Sequence, residues 1–198
     1  MLYHCNLLSK HRNLKQRGSV KESKKIGVMC GSSNACAQKF LNMAFSIGEF
    51  IAQNGDQVVY GGGAKGLMRQ VADGALAKGG IVHGYIPQFM IEVEWQHKSI
   101  THLHVTESMS ERKALMMSNS DATIFLPGGC GTMEEFFEII TWGQLGLHKK
   151  PSAILNVNEF YNPMIEQLKL MNREGLLRDE NLAMLIISMS IDDVLTQM

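Results

Sequence analysis

The sequence predicts an α/β fold: a single Rossmann-like, doubly wound domain with a parallel central sheet and helices on both faces. Three observations carry this. Short apolar, partly β-branched runs alternate with longer stretches of helical periodicity along the chain. Three of the runs lead into glycine-rich turns: Gly31-Ser32-Ser33, Gly61-Gly62-Gly63 and Gly128-Gly129-Cys130-Gly131. At 198 residues, with 45% hydrophobic and 19% charged residues, the chain suits one domain with a full core.

Ile26 to Cys30 reads as the first strand. A helix from about Ala35 to Gln53 follows, with Phe40, Ala44, Ile47 and Ile51 as its core stripe and Asn54-Gly55 as its stop. Gln57 to Tyr60 is the second strand, and Gly66 to Lys78 a helix ended by Gly79-Gly80. Ile81 to Ile86 is the third strand, with an irregular stretch through Pro87 and Trp95 after it. Leu103 to Val105 is a short strand. Ser108-x-x-Glu111 has the spacing of a capping box, which opens the helix carrying Arg112. Asp121 to Leu126 is a buried strand, and Phe136, Ile139, Ile140 and Gly143 mark a helix beyond the last glycine turn, which Thr132 can cap. Ser152 to Val157 is another strand. Asn162-Pro163 starts a helix running to Gly175, with proline at its first position. Ile186 to Met189 and Asp192 to Met198 form a last strand and terminal helix.

Residues 1–24 are set apart from the domain at 25–198. Lys10, Arg12, Lys15, Arg17, Lys21 and Lys24 stand against one acid, Glu22, so the segment reads as a basic, flexible extension. A formal charge of zero gives no sign of a nucleic-acid partner. No apolar run approaches the roughly 20 residues of a membrane span, and no secretory signal is expected. Cys5, Cys30, Cys36 and Cys130 form no Cys-x-x-Cys pair, which favours a reducing cytoplasm.

In an open parallel sheet, ligands lie beyond the carboxyl ends of the strands, so the three glycine turns converge on one crevice. A turn without Cβ atoms lets backbone amides approach an anion, and a helix N-terminus adds the favourable end of its dipole. The spacing is neither a dinucleotide fingerprint nor a Gly-Lys-Ser/Thr phosphate loop. Glu134 and Glu135, expected in the first turn of the helix, have no use in a pure phosphate site. They fit one that breaks a bond near a phosphate. His102 and His104 share a strand face, where they could hold a metal with His97 or Glu92; a half-exposed polar face explains them equally, and no metal is assigned.

The segment Pro127 to Glu135, Pro-Gly-Gly-x-Gly-Thr-x-x-Glu, resembles the signature of the LOG family of cytokinin riboside 5'-monophosphate phosphoribohydrolases, also labelled lysine decarboxylases. Cys30 to Ser33 and Tyr60 to Met68 are similar to the family's first two loops, Glu111 to Ala114 to its Arg-Lys helix, and Ile140 to Gly146 to the rest of its signature helix. Together they cover roughly residues 25 to 198. The resemblance implies hydrolysis of the N-glycosidic bond of a purine nucleotide, cytokinin-type or AMP, by a homodimer without cofactor. It assigns catalysis to Arg112 and Glu135. It implies substrate contacts from Gly31, Ser32, Ser33, Gly62, Gly63, Glu94, Lys113, Gly128, Gly129, Cys130, Gly131, Thr132, Glu134 and Thr141. The same fold occurs in molybdenum-cofactor carriers, so a non-catalytic binding protein is the alternative, against which the pair Arg112 and Glu135 argues. A pyridoxal-phosphate lysine decarboxylase would need a Schiff-base lysine with a partner for the ring nitrogen, and no convincing pair stands out.

Overall fold

The computed structural model describes residues 22–92 and 95–198. Most of the basic extension at 1–24, and Glu94, therefore lie outside the described residues. Seven strands form one sheet: β1 (Lys25–Met29), β2 (Gln57–Tyr60), β3 (Val82–Pro87), β4 (His102–Thr106), β5 (Ala122–Phe125), β6 (Ser152–Leu155) and β7 (Leu185–Ser188). Their order is β4-β3-β2-β1-β5-β6-β7, and every neighbouring pair is parallel. The order reverses direction between β1 and β5, which opens a crevice at their carboxyl ends.

The helices are α1 (Gln38–Gln53), α2 (Gly66–Ala77), α3 (Gln88–Glu92), α4 (Met109–Ser118), α5 (Cys130–Gln144), α6 (Asn162–Arg173), α7 (Asp179–Ala183) and α8 (Ile191–Gln197). Central strands are buried on both faces, as a two-sided sheet requires. One face carries α1, α2 and α8, with Ile26, Val28, Val58, Tyr60 and Ile124 meeting Ile47, Ile51, Val71 and Val194. The other carries α4 to α7, with Met29, Val59, Phe125 and Ile154 meeting Met116, Phe136, Ile165 and Leu168. Helices α1 and α2 touch through glycines. A Cβ on Gly48 would lie 2.1 Å from the Val71 carbonyl oxygen, and one on Gly74 2.0 Å from that of Phe45.

All expected strands are present, the second at its expected bounds and the others with ends differing by a residue or two. The sixth stops at Leu155, because Val157–Glu159 turns into a single 3-10 coil with Asn158 and Glu159 at positive φ (53° and 58°). The stretch after Pro87 is not wholly irregular: Gln88–Glu92 forms α3. The five-residue α7 was also not expected. The Ser108 side chain accepts from the Glu111 amide at 3.1 Å, while the Glu111 carboxylate accepts from the Glu107 amide at 2.7 Å, one residue before the reciprocal position of a capping box. Thr132 is not the cap of α5. Gly129 holds that position and Thr132 is buried inside the first turn, which places Glu134 and Glu135 in the second turn rather than the first.

Candidate active site

A cavity of about 440 Å³ lies where β1, β2 and β5 end, bounded by α3, the start of α4 and the N-terminus of α5. Its lining combines two kinds of group: Ser32, Ser33, Gly129, Cys130, Gly131, Thr132, Arg112 and Glu135 supply polar atoms, and Ile86, Met68, Met90, Met109, Met116 and Trp95 supply apolar surface.

The α5 end is built as an anion cup. In the first turn of a helix the amides have no intrahelical acceptor, and Cys130, Gly131 and Thr132 all line the cavity. Nothing approaches within 4 Å of where a Cβ on Gly129 or Gly131 would stand, so these glycines leave open space for a ligand. Gly128 has a different reason: its Cβ would fall 2.1 Å from the Thr132 hydroxyl oxygen. Gly128 thus lets Thr132 fold back under the turn. The Gly31 amide donates to the Pro127 carbonyl at 3.1 Å, tying the first loop to this turn.

The second glycine turn is not an equivalent cup. At the start of α2 the amides of Leu67 and Met68 donate to the Gly31 carbonyl (2.9 and 3.3 Å), and that of Gly66 donates to Asn34 Oδ1 at 2.7 Å. Those donors are already used. Gly62, at φ +72°, faces Ile86 and the Tyr85 carbonyl, and it does not line the cavity as Gly63 does. Gly61 makes room for a side chain: a Cβ there would sit 1.9 Å from Arg112 Nη2.

Arg112 is buried, although arginine seldom is unless paired. Its Nε donates to the Tyr85 carbonyl at 3.0 Å, and Nη1 lies 3.7 Å from Glu135 Oε1. The guanidinium is therefore fixed from three sides, by β3, Gly61 and Glu135. Burial raises the pKa of Glu135 above the ordinary carboxylate value, the nearby Arg112 charge opposing this and Glu134 reinforcing it. A buried carboxyl so poised is the kind of group that exchanges protons in catalysis. Burial, with the Glu135 charge next, pushes the Cys30 thiol far up, so Cys30 is a neutral part of the wall. Cys130 is exposed at the cup.

Of the residues expected to meet substrate, the structure gathers Gly31, Ser32, Ser33, Gly63, Gly129, Cys130, Gly131 and Thr132 around Arg112 and Glu135. Lys113, Glu134 and Thr141 stand apart. Lys113 bonds to Glu134 and lies 3.1 Å from Glu138, linking α4 to α5, and the Glu134 bond raises its pKa. Thr141 is exposed one turn beyond Glu138. The apolar lining from Met68, Met90, Met109 and Met116 was not foreseen in the sequence. Nor were Lys65 and Trp95 at the rim, with the ammonium 5.3 Å from the indole centroid. Among the described residues no cluster of His, Cys, Asp and Glu could hold a metal. His102 and His104 stack instead with His83 and Tyr85.

Comparison with known proteins agrees with this geometry. Residues 68–198 match a family model described as possible lysine decarboxylase. The cytokinin riboside 5'-monophosphate phosphoribohydrolase of Rhodococcoides fascians is 41% identical over 170 residues, 85% of this chain and 86% of that protein. One from Arabidopsis thaliana is 37% identical over 161 residues, 80% of this chain and 75% of that protein. Among solved structures, the molybdenum cofactor binding protein of Rippkaea orientalis superposes with a TM-score of 0.67 at 21% identity, covering 89% of this chain and 96% of that one. The molybdenum cofactor carrier protein of Chlamydomonas reinhardtii gives 0.67 at 22%, with the same coverage. At such identities these two likenesses show the shared fold alone. On its motifs, its matched family model and relatives identical at about two-fifths of the aligned positions, the chain belongs to the LOG family of cytokinin riboside 5'-monophosphate phosphoribohydrolases.

Proposed function

We propose that this protein is a phosphoribohydrolase that takes a purine nucleoside 5'-monophosphate and water to the free base and ribose 5-phosphate. The observation that carries it is Glu135: a buried carboxyl with a raised pKa, held against a buried arginine, in a cavity that opens on a helix N-terminus. The family relatives bear the name of this reaction.

The 5'-phosphate takes the cup of Gly129, Cys130, Gly131 and Thr132, with Ser32 and Ser33 facing it from the first loop. The ribose then lies towards Glu135 and Arg112, and the base against the methionine wall and Trp95. Cleavage of the N-glycosidic bond moves its electron pair to the base and leaves positive charge on the sugar. The Glu135 carboxylate stabilises that charge and takes a proton from the attacking water. Arg112 orients Glu135 and neutralises charge on the departing base or on the phosphate. Water supplies hydroxyl to the anomeric carbon, and the proton that Glu135 took from it passes on to the departing base, which leaves neutral and restores the carboxylate, so no oxidant or cofactor enters the balance.

We place Lys113 and Glu134 at the edge of the site as an ion pair that reaches substrate at most through its periphery. The exposed Leu145 and Leu147, after Trp142 at the end of α5, suit a homodimer interface. We place the enzyme in the cytoplasm on its cysteine usage; no helix among the described residues is long and apolar enough to cross a membrane. Incubating the protein with AMP or with isopentenyladenosine monophosphate and separating the products tests the reading. Free base with equimolar ribose 5-phosphate is expected, and intact nucleotide after many hours at high enzyme would contradict it.

A further inference from the structure

The cup at α5 is only as good as the backbone leading into it, and that backbone has an unusual support. Leu126, the residue before Pro127, donates its amide to the Met29 carbonyl at 2.9 Å. Its carbonyl accepts from the hydroxyl of Tyr161, 35 residues away, at 2.5 Å in a fully buried contact. Pro127 has no amide to anchor the turn from the other side. The Leu126 carbonyl, one residue past β5, and the Pro127 carbonyl, which accepts from the Gly31 amide, are thus the two fixed points before the chain turns into Gly128 and Gly129.

Tyr161 is itself delivered with care. Its amide donates to Asn156 Oδ1 at 2.8 Å, and the other end of that buried amide, Nδ2, donates to Asn162 Oδ1 at 2.8 Å. The Asn156 amide in turn donates to the Ser188 carbonyl at 2.8 Å. Between Asn156 and Tyr161 the chain passes through Asn158 and Glu159, two consecutive non-glycine residues in the left-handed region, at φ 53° and 58°. Such conformations are costly for side chains with a Cβ and persist where the surroundings over-determine them. The tight reversal they make brings the tyrosine hydroxyl across β6 to the end of β5.

We infer that Tyr161 is a positioning residue for the anion cup, acting through the Leu126 carbonyl to fix the peptide plane from which the Pro127–Thr132 turn departs. It does not line the cavity. The inference rests on the functional reading above for what the cup holds, and not for the existence of the support.

Tyr161→Phe keeps the ring, with its edge contact to Phe160 at 5.0 Å, and removes only the hydroxyl. Calorimetric binding of ribose 5-phosphate and of inorganic phosphate is expected to weaken about fivefold, which corresponds to about 1 kcal/mol. With AMP, KM rises by a similar factor while kcat stays within about twofold, and hydrogen exchange of the Gly128 to Gly131 amides accelerates ahead of that in β1 and β2. A merely structural hydroxyl would lower the melting temperature and leave the phosphate affinity and these amides at their wild-type values; that outcome overturns the inference. The exchange measurement needs no turnover. Faster exchange with no base released from AMP by wild-type enzyme would uphold the support by Tyr161 while removing the proposed reaction.

Discussion

Replacing Gly61 by alanine should disable the site by displacing Arg112, while every side chain assigned to substrate is kept. The added Cβ would stand 1.9 Å from Arg112 Nη2 and 3.1 Å from Met68 Sδ. An ordinary contact needs about 3.4 Å, so the guanidinium must retreat by about 1.5 Å, the difference between the two distances. It cannot do so freely, because Nε is held by the Tyr85 carbonyl at 3.0 Å and Nη1 faces Glu135 at 3.7 Å. A shift of that size breaks the Nε bond, and a hydrogen bond to a charged group contributes about 1.5–3 kcal/mol. Misplacing a catalytic group by about 1 Å can cost on the order of 100-fold in rate. We therefore expect Gly61→Ala to lose about 100-fold in kcat/KM for AMP and to unfold at about 2 kcal/mol lower stability. Because the loss runs through Arg112, Gly61→Ala should cost little further in an Arg112→Ala background, where the clash is gone. Base release followed by chromatography gives the four rates of that cycle. Full additivity of the two substitutions, or wild-type kcat/KM in Gly61→Ala, would refute the idea that this glycine exists to seat the arginine.

Other outcomes follow from the same geometry. The cup presents backbone amides suited to an anion, and several charge-assisted hydrogen bonds at about 1.5–3 kcal/mol each imply that adenosine is at least about 100-fold worse than AMP in kcat/KM; equal rates would remove the cup from the account. On β3, burial and then the neighbours His102, Lys25 and His104 hold the pKa of His83 down at about 4, with Gln57 hydrogen-bonded to its ring and the rings of His102 and His104 stacked on it. Since its folded pKa is below the unfolded value, His83 contributes stability that is present above about pH 6.5 and lost as pH falls from there towards 4. Thermal melts should show His83→Gln narrowing the gap in stability between pH 7 and pH 5, and an unchanged gap would sink this explanation.

Most of the framework was legible in the sequence because its signals are local. Apolar runs, Gly55 and Gly79 at positive φ just past helix ends, Pro163 at the start of α6 and Ser108 as a cap each state their role within a few residues. The short helices α3 and α7 were not, since five residues are too few to show a helical period. At the site, the convergence of the three glycine turns followed from the carboxyl-end rule for an open parallel sheet, and Arg112 and Glu135 from the family resemblance. What each glycine does was hidden, for it depends on contacts between distant segments: Gly61 against Arg112, Gly62 against Tyr85 and Ile86, Gly128 against Thr132. The same holds for Lys113, whose engagement with Glu134 and Glu138 joins two helices, and for the tyrosine that reaches Leu126 from beyond β6.

The carboxylate of Glu135 is the centre of the account, and Glu135→Gln isolates it by keeping shape while removing charge. Its raised pKa means that the active, ionised form should disappear as pH falls through a value above the usual carboxylate range, and the amide should resemble the acid limb of that profile at every pH. The decisive measurement is the variant's turnover of AMP at neutral pH beside its affinity for AMP. We expect base release to fall by at least about 100-fold while the dissociation constant stays within about threefold of wild type. Turnover at the wild-type rate would contradict the assignment of the chemistry to Glu135.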